Sequence, residues 1–163
     1  MQIMIQKTNV MRILEQKKVK YQPHSYADTE AISGIEVAEV LGQDVSQVFK
    51  TLVTVGSTKK NYVFVIPVNK ELDLKKAASA VREKKIEMIK TKELLPLTGY
   101  VHGGCSPVGM KKLFKTVVDE TAAGQETIMF SAGKIGYQVE VSPVDLKKVI
   151  EYEFADVTKS ILL

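Results

Sequence analysis

"VFKTLVTV" (Val48 to Val55) and "NYVFVIPV" (Asn61 to Val68) stand on either side of the polar link "GSTKK". Both runs are dense in β-branched and aromatic residues, and the short link begins with glycine, the pattern of a β-hairpin. Working outward, Thr8 is placed to cap a helix whose Val10, Met11, Ile13 and Leu14 fall on one side. The piece "VKYQPHSY" (residues 19–26) reads as an edge or irregular strand because it contains Pro23. Ser33 and Glu36 form a capping-box pattern ahead of Ile35, Val37, Ala38, Val40 and Leu41, and Gly42 supplies the stop.

Beyond the hairpin, Asp73 caps "LKKAASAV", whose Leu74, Ala77, Ala78 and Val81 are expected inward. "KIEMI" reads as a short strand and "KELLPL" as a helical turn ending near Gly99. "KTVVD", "ETIMFSAG" and "YQVEV" are three more strand candidates. Ser142-Pro143 opens a final helix running through "LKKVI", and "FADV" is a closing strand. Strands and helices do not alternate strictly, and no dinucleotide-binding glycine fingerprint follows the first strand. The pattern predicts an α+β fold with a mixed, barrel-like sheet of about six or seven strands surrounded by helices. No repeat or flexible linker divides the chain, so residues 1–163 are expected to form a single domain.

Composition narrows the functional classes. Hydrophobic content of 45% and charged content of 26% match a soluble globule. No apolar run approaches the roughly 20 residues of a membrane span, and "MQIMIQKTNV" lacks the features of a secretory signal. A single cysteine forms no internal disulfide, so a cytoplasmic setting is expected. Net charge is +4, with lysine doublets such as Lys59-Lys60, Lys84-Lys85 and Lys111-Lys112. That balance permits an RNA partner but equally describes a solvated surface.

The densest chemistry lies in "VHGGCSPVG" (residues 101–109), which holds the only cysteine and three of the ten glycines. Gly104 and Gly109 imitate the start of a phosphate-binding loop, but Met110 occupies the position of the required lysine, which excludes that mechanism. Two histidines and one cysteine without zinc spacing predict no metal, and no cofactor is expected. Cys105 reads either as a nucleophile, with His102 or His24 as its base, or as a small packing residue. The glycines read either as plain turns or as bare backbone whose amides approach a carbonyl, together with a second small-residue turn at Ser131-Ala132-Gly133-Lys134.

"VFKTL" (residues 48–52), "TGYVHGGCSPVGMKK" (98–112) and "SAGKIGYQVEV" (131–141), in this order and spacing, resemble the YbaK/EbsC family. That family belongs with the prolyl-tRNA synthetase editing domains and free-standing aminoacyl-tRNA deacylases, and the likeness covers nearly the whole chain. It implies a mixed, barrel-like sheet and the clearing of misacylated tRNA, above all Cys-tRNA(Pro), alongside prolyl-tRNA synthetase. It also implies Lys50 as the catalytic lysine, Tyr26 as the pocket tyrosine, Gly103 and Gly104 as backbone contacts, and Ser131 and Gly133 as the second loop. Read from the residues alone, Lys50 is either an inward functional lysine within an apolar run or an ordinary exposed one, and Tyr26 a pocket or a core aromatic. The family does not require cysteine at position 105, and the implied nucleophile is the thiol of the cysteinyl substrate. Removal of alanine by a positioned water, a non-catalytic module that binds the tRNA end, and a thiol hydrolase using Cys105 are the rival functions.

Overall fold

The computed structural model describes residues 6–161. Thr8 caps α1 (Asn9–Gln16) by accepting a hydrogen bond from the Met11 amide at 3.3 Å, and Val10, Met11 and Leu14 are buried. β1 (Gln22–Ser25) carries Pro23 and lies at a sheet edge, where a missing N–H is tolerated. α2 (Gly34–Leu41) starts at the Ser33–Glu36 capping box and stops at Gly42 in the left-handed conformation. β2 (Phe49–Gly56) and β3 (Asn61–Pro67) form the expected antiparallel hairpin, with Leu52 opposite Phe64. There follow β4 (Lys70–Leu72), α3 (Leu74–Val81), β5 (Ile86–Met88) and α4 (Thr91–Thr98), which ends at Gly99. The chain continues with β6 (Lys115–Asp119), β7 (Ile128–Ser131), β8 (Tyr137–Val141), α5 (Pro143–Leu146), β9 (Glu153–Ala155) and β10 (Thr158–Ser160).

The fold is α+β with mixed sheets. Among the described residues, ten strands fall into three sheets, where the sequence predicted one sheet of six or seven. The largest has the order β5-β2-β3-β6-β9, antiparallel at β5/β2 and β2/β3 and parallel at β3/β6 and β6/β9. A second sheet, β1-β8-β7, meets it through one parallel bridge between Val48 and Met129, and β4 pairs with β10. Hydrogen bonding among the described residues does not close these sheets into a barrel. The unforeseen β4 and β10 are three residues each, too short to display a period.

Two details of the helices differ from expectation. Leu74 is 43% exposed, because it occupies the first helical position, ahead of the inward stripe of Ala77, Ala78 and Val81. α5 stops at Leu146 and Ser142 makes no side-chain cap; the Val149 and Ile150 amides both turn back to the Leu146 carbonyl.

β3 explains why its sequence reads as an unbroken apolar run. Val63 and Val65 face one core, with Val10, Leu14, Phe130 and Val139; Tyr62, Phe64 and Ile66 face another, with Ala77, Val81 and Ile86. A strand covered on both faces has no polar side to alternate with. The hairpin tip is held to α3 by Glu83, which accepts hydrogen bonds from the Thr58 hydroxyl and amide, the Ser57 hydroxyl and, at 2.6 Å, the Tyr62 hydroxyl. The Thr58 and Tyr62 hydroxyl bonds hold its carboxyl down at about 2, against an ordinary 4.5. A carboxylate with a depressed folded-state pKa contributes stability above its unfolded value and loses it as pH falls. The difference in urea midpoint between wild type and Glu83→Gln should therefore be constant above pH 5 and shrink between about 4.5 and 2. A difference independent of pH across that window would mean that the charge of Glu83 does not hold the tip.

Candidate active site

β5 covers the outer edge of β2 only at Thr54–Gly56, and one further bond joins the Ile89 amide to the Val53 carbonyl at 3.4 Å. The chain then turns away into α4. At the other end of β2, Val48 bridges to Met129 next to β7 residues leading to Ser131. The edge between these two attachments is open, and a cavity of about 450 Å³ runs along it. That size suits a small molecule or the end of a larger one. Lys50, Thr51 and Leu52 of β2 form one wall, and Ser33, Gly34 and Val37 of α2 form another. Met88, Ile89, Thr91 and Leu94 close a third side; His102, Gly103 and Cys105 come from the glycine loop, with Tyr26, Ser131 and Gln138 completing the lining.

Lys50 is half-buried, and no ion pair or hydrogen bond to its ammonium is found among the described residues. Burial lowers its pKa, and the nearby Glu71 carboxylate offsets part of that shift. An unpaired, partly dehydrated ammonium is a strong donor for whatever polar group enters the cavity. Cys105 is the opposite case. Burial pushes its thiol up to about 12, with the Thr98 hydroxyl only moderating the shift, so it stays protonated at neutral pH and is no activated nucleophile. Among the described residues, no three His, Cys, Asp or Glu side chains converge as a metal site would require.

The structure brings Lys50, Tyr26, Gly103 and Ser131 to the cavity lining and leaves Gly104 and Gly133 behind it. Gly103 has φ +88°. Gly104 is buried, and its amide is used inside the loop, donating to the Val101 carbonyl at 3.0 Å. Gly133 has φ +87° and donates its amide to the Ser131 hydroxyl; a Cβ there would lie 2.9 Å from both Tyr100 and Val10. Tyr100 also fastens the glycine loop, its hydroxyl donating to the Val108 carbonyl at 2.6 Å. Sequence reasoning missed the wall from α2, Thr51 and Gln138. The capping box at Ser33 located a helix start but carried no sign of where that helix docks.

The aminoacyl-tRNA editing domain, as a family, matches residues 29–149. The chain belongs to that family. An Enterococcus faecalis member, EbsC, provisionally named a Cys-tRNA(Pro)/Cys-tRNA(Cys) deacylase, is 48% identical over 94% of both chains. A proline–tRNA ligase of Shouchella clausii is 32% identical over 72% of this chain, which spans only 20% of that enzyme. A crystal structure described as a provisional trans-editing enzyme for prolyl-tRNA synthetase superposes with a TM-score of 0.79 at 26% identity, covering 94% of this chain and 99% of the other. The editing-domain match takes in Lys50, the cavity-lining residues of the glycine loop and Ser131, and excludes α1, Tyr26 and the strands β9 and β10.

Gly103 offers a direct test of the loop. A Cβ at this position meets only the Ile135 side chain, at 3.7 Å, so the cost of adding one is conformational. Gly103→Ala should lower the unfolding free energy by about 1–2 kcal/mol, the penalty for an L-residue held left-handed. Urea denaturation reads this; an unchanged midpoint would mean that the loop relaxes to negative φ.

Proposed function

We propose that this protein is a trans-editing deacylase that clears misacylated tRNA in the cytoplasm, with Cys-tRNA(Pro) its principal substrate and Cys-tRNA(Cys) a second. The observation that carries the reading is Lys50, a half-buried lysine with an unpaired ammonium, lining one cavity together with the glycine loop, in a chain that belongs to the editing-domain family. The acceptor end of the tRNA enters the open edge of β2, and prolyl-tRNA synthetase is the partner alongside which the enzyme works. Lys50 orients the acyl-nucleoside end, and the Gly103 amide donates to the ester carbonyl. Tyr26 and Ser131 shape the cavity, while Gly104 and Gly133 hold the two loops in place behind it.

The protonated Cys105 supports a reaction in which the substrate supplies its own nucleophile. The cysteinyl sulfur adds to its ester carbonyl carbon, the bond from that carbon to the ribose oxygen breaks, and the ribose oxygen takes the thiol proton. A thiolactone and a free tRNA end result. Thiol and ester already share one molecule, so the protein's task is to fix a reactive conformer and stabilise the oxyanion.

Two outcomes follow from these roles. Lys50→Ala should reduce kcat/KM for cysteinyl-tRNA by about a hundredfold or more, the scale of misplacing a reacting group by about an ångström, with the melting temperature at or above wild type because an unpaired, half-buried charge is removed. An unchanged rate would return Lys50 to an ordinary strand lysine. Across a panel of esters on tRNA(Pro), the cysteinyl ester should be cleaved while the seryl and alanyl esters are nearly inert. A thiol with a pKa near 8.5 has an appreciable anionic fraction at neutral pH and a hydroxyl has almost none. Comparable cleavage of alanyl and cysteinyl esters would replace the thiol with a positioned water.

A further inference from the structure

The hydrogen-bond parity of β2 singles out one residue. The Val68 amide donates to the Val48 carbonyl and the Gly56 amide to the Lys60 carbonyl, both at 2.8 Å. Even-numbered residues of β2 therefore exchange bonds with β3, and odd-numbered residues turn their N–H and C=O toward the opposite edge. On that edge Val55 faces Glu87, and the Val53 carbonyl takes the Ile89 amide. The next odd position is Thr51, where β5 has already left. No strand pairs with Thr51 on that edge in the ladders among the described residues. Its Oγ1 is also buried without a hydrogen-bond partner. A main-chain edge outside the ladder and a buried, unpaired hydroxyl thus belong to one residue, and that residue lines the cavity. Native proteins rarely leave a buried hydroxyl unpaired, because it costs about 1–3 kcal/mol when shielded from water.

We propose that the aminoacyl group of the substrate pairs with Thr51 as a one-residue strand, occupying the place in the ladder that β5 vacates. The proposal rests on the deacylase reading above. An L-aminoacyl ester carries an α-amino donor and a carbonyl acceptor on the same residue, the complement of what Thr51 displays. In an antiparallel pair the amine donates to the Thr51 carbonyl while the ester carbonyl accepts from the Thr51 N–H, which joins the Gly103 amide as a second donor to that oxygen. Cross-strand partners project their side chains to the same face. The substrate side chain consequently lies beside Oγ1 of Thr51, which gains its missing partner in a small polar group such as a thiol. Thr51 is in this way a positioning residue, and it selects α-amino acids with short polar side chains.

The decisive experiment uses the wild-type protein and tRNA(Pro) charged with either cysteine or 3-mercaptopropionate, which keeps the thiol and the ester but lacks the α-amino group. With each rate divided by its own uncatalysed rate, kcat/KM should fall about ten- to hundredfold for the deamino ester, the effect of leaving a buried acceptor unpaired. Equal values for the two esters would overturn the pairing while leaving the deacylase reading intact. Cleavage of neither would remove that reading and the pairing with it. Thr51→Val deletes only the unsatisfied hydroxyl, so it should fold at least as stably as wild type and yet lose activity toward the cysteinyl ester. Thr51→Pro deletes an N–H that has no ladder partner, a substitution an open edge tolerates, and should lose about ten- to hundredfold in kcat/KM. A folded Thr51→Pro protein with wild-type activity would overturn the proposal. Should that variant not fold, the pair of esters on the wild-type protein decides.

Discussion

The pairing of β2 is the constraint on which the rest of the structure depends. Its inner edge is committed to β3 over the whole strand, while its outer edge is shared between β5 at one end and a single bridge to Met129 at the other. Neither outer partner is long enough to reach the other, and the cavity is the interval between them. Because β3 is buried on both faces, β2 is held rigidly from its inner side. An open edge on a rigidly held strand gives fixed main-chain donors and acceptors beside an apolar floor, which is what distinguishes a binding site from a frayed sheet margin.

The electrostatics of the cavity follow from this placement. Lys50 sits where its ammonium loses water without gaining a carboxylate partner, so its charge is kept for an incoming group. Cys105 sits deeper, where lost hydration favours the neutral thiol. The same physical effect makes one side chain a poised donor and the other an inert neighbour, because dehydration disfavours the charged form of each.

What could be read in the sequence was local chemistry. The hairpin, the capping box at Ser33 and Glu36, the Gly42 stop and the Asp73 cap each depend on residues within one element, and each forms where expected. Lys50 was visible as a charge interrupting an apolar run. The wall from α2 was not, since it depends on Gly34 packing so closely on Val68 that a Cβ would lie 2.3 Å from Cγ1. The different duties of Gly103 and Gly104 were hidden too: composition treats neighbouring glycines alike, and only the fold turns one amide inward to Val101. Thr51 and Gln138 gave no signal because an unpaired or shared hydrogen bond is a property of tertiary contacts.

The parallel pairing of β3 with β6 has a consequence for how the chain is made. The hairpin leaves the ribosome with an apolar surface on each side, and its neighbour β6 begins only at Lys115, after residues 68–114 have been synthesised. At bacterial and eukaryotic elongation rates that interval is roughly two to ten seconds. Through it the outer side of β3 is an unpaired apolar edge, the kind of surface that recruits other nascent chains. Helix α1, made before the hairpin, carries the residues that cover one face, and α3 with the short β5 arrives within this window to cover the other. The order of elements along the chain thus brings cover for both faces of the hairpin before β6 pairs its edge.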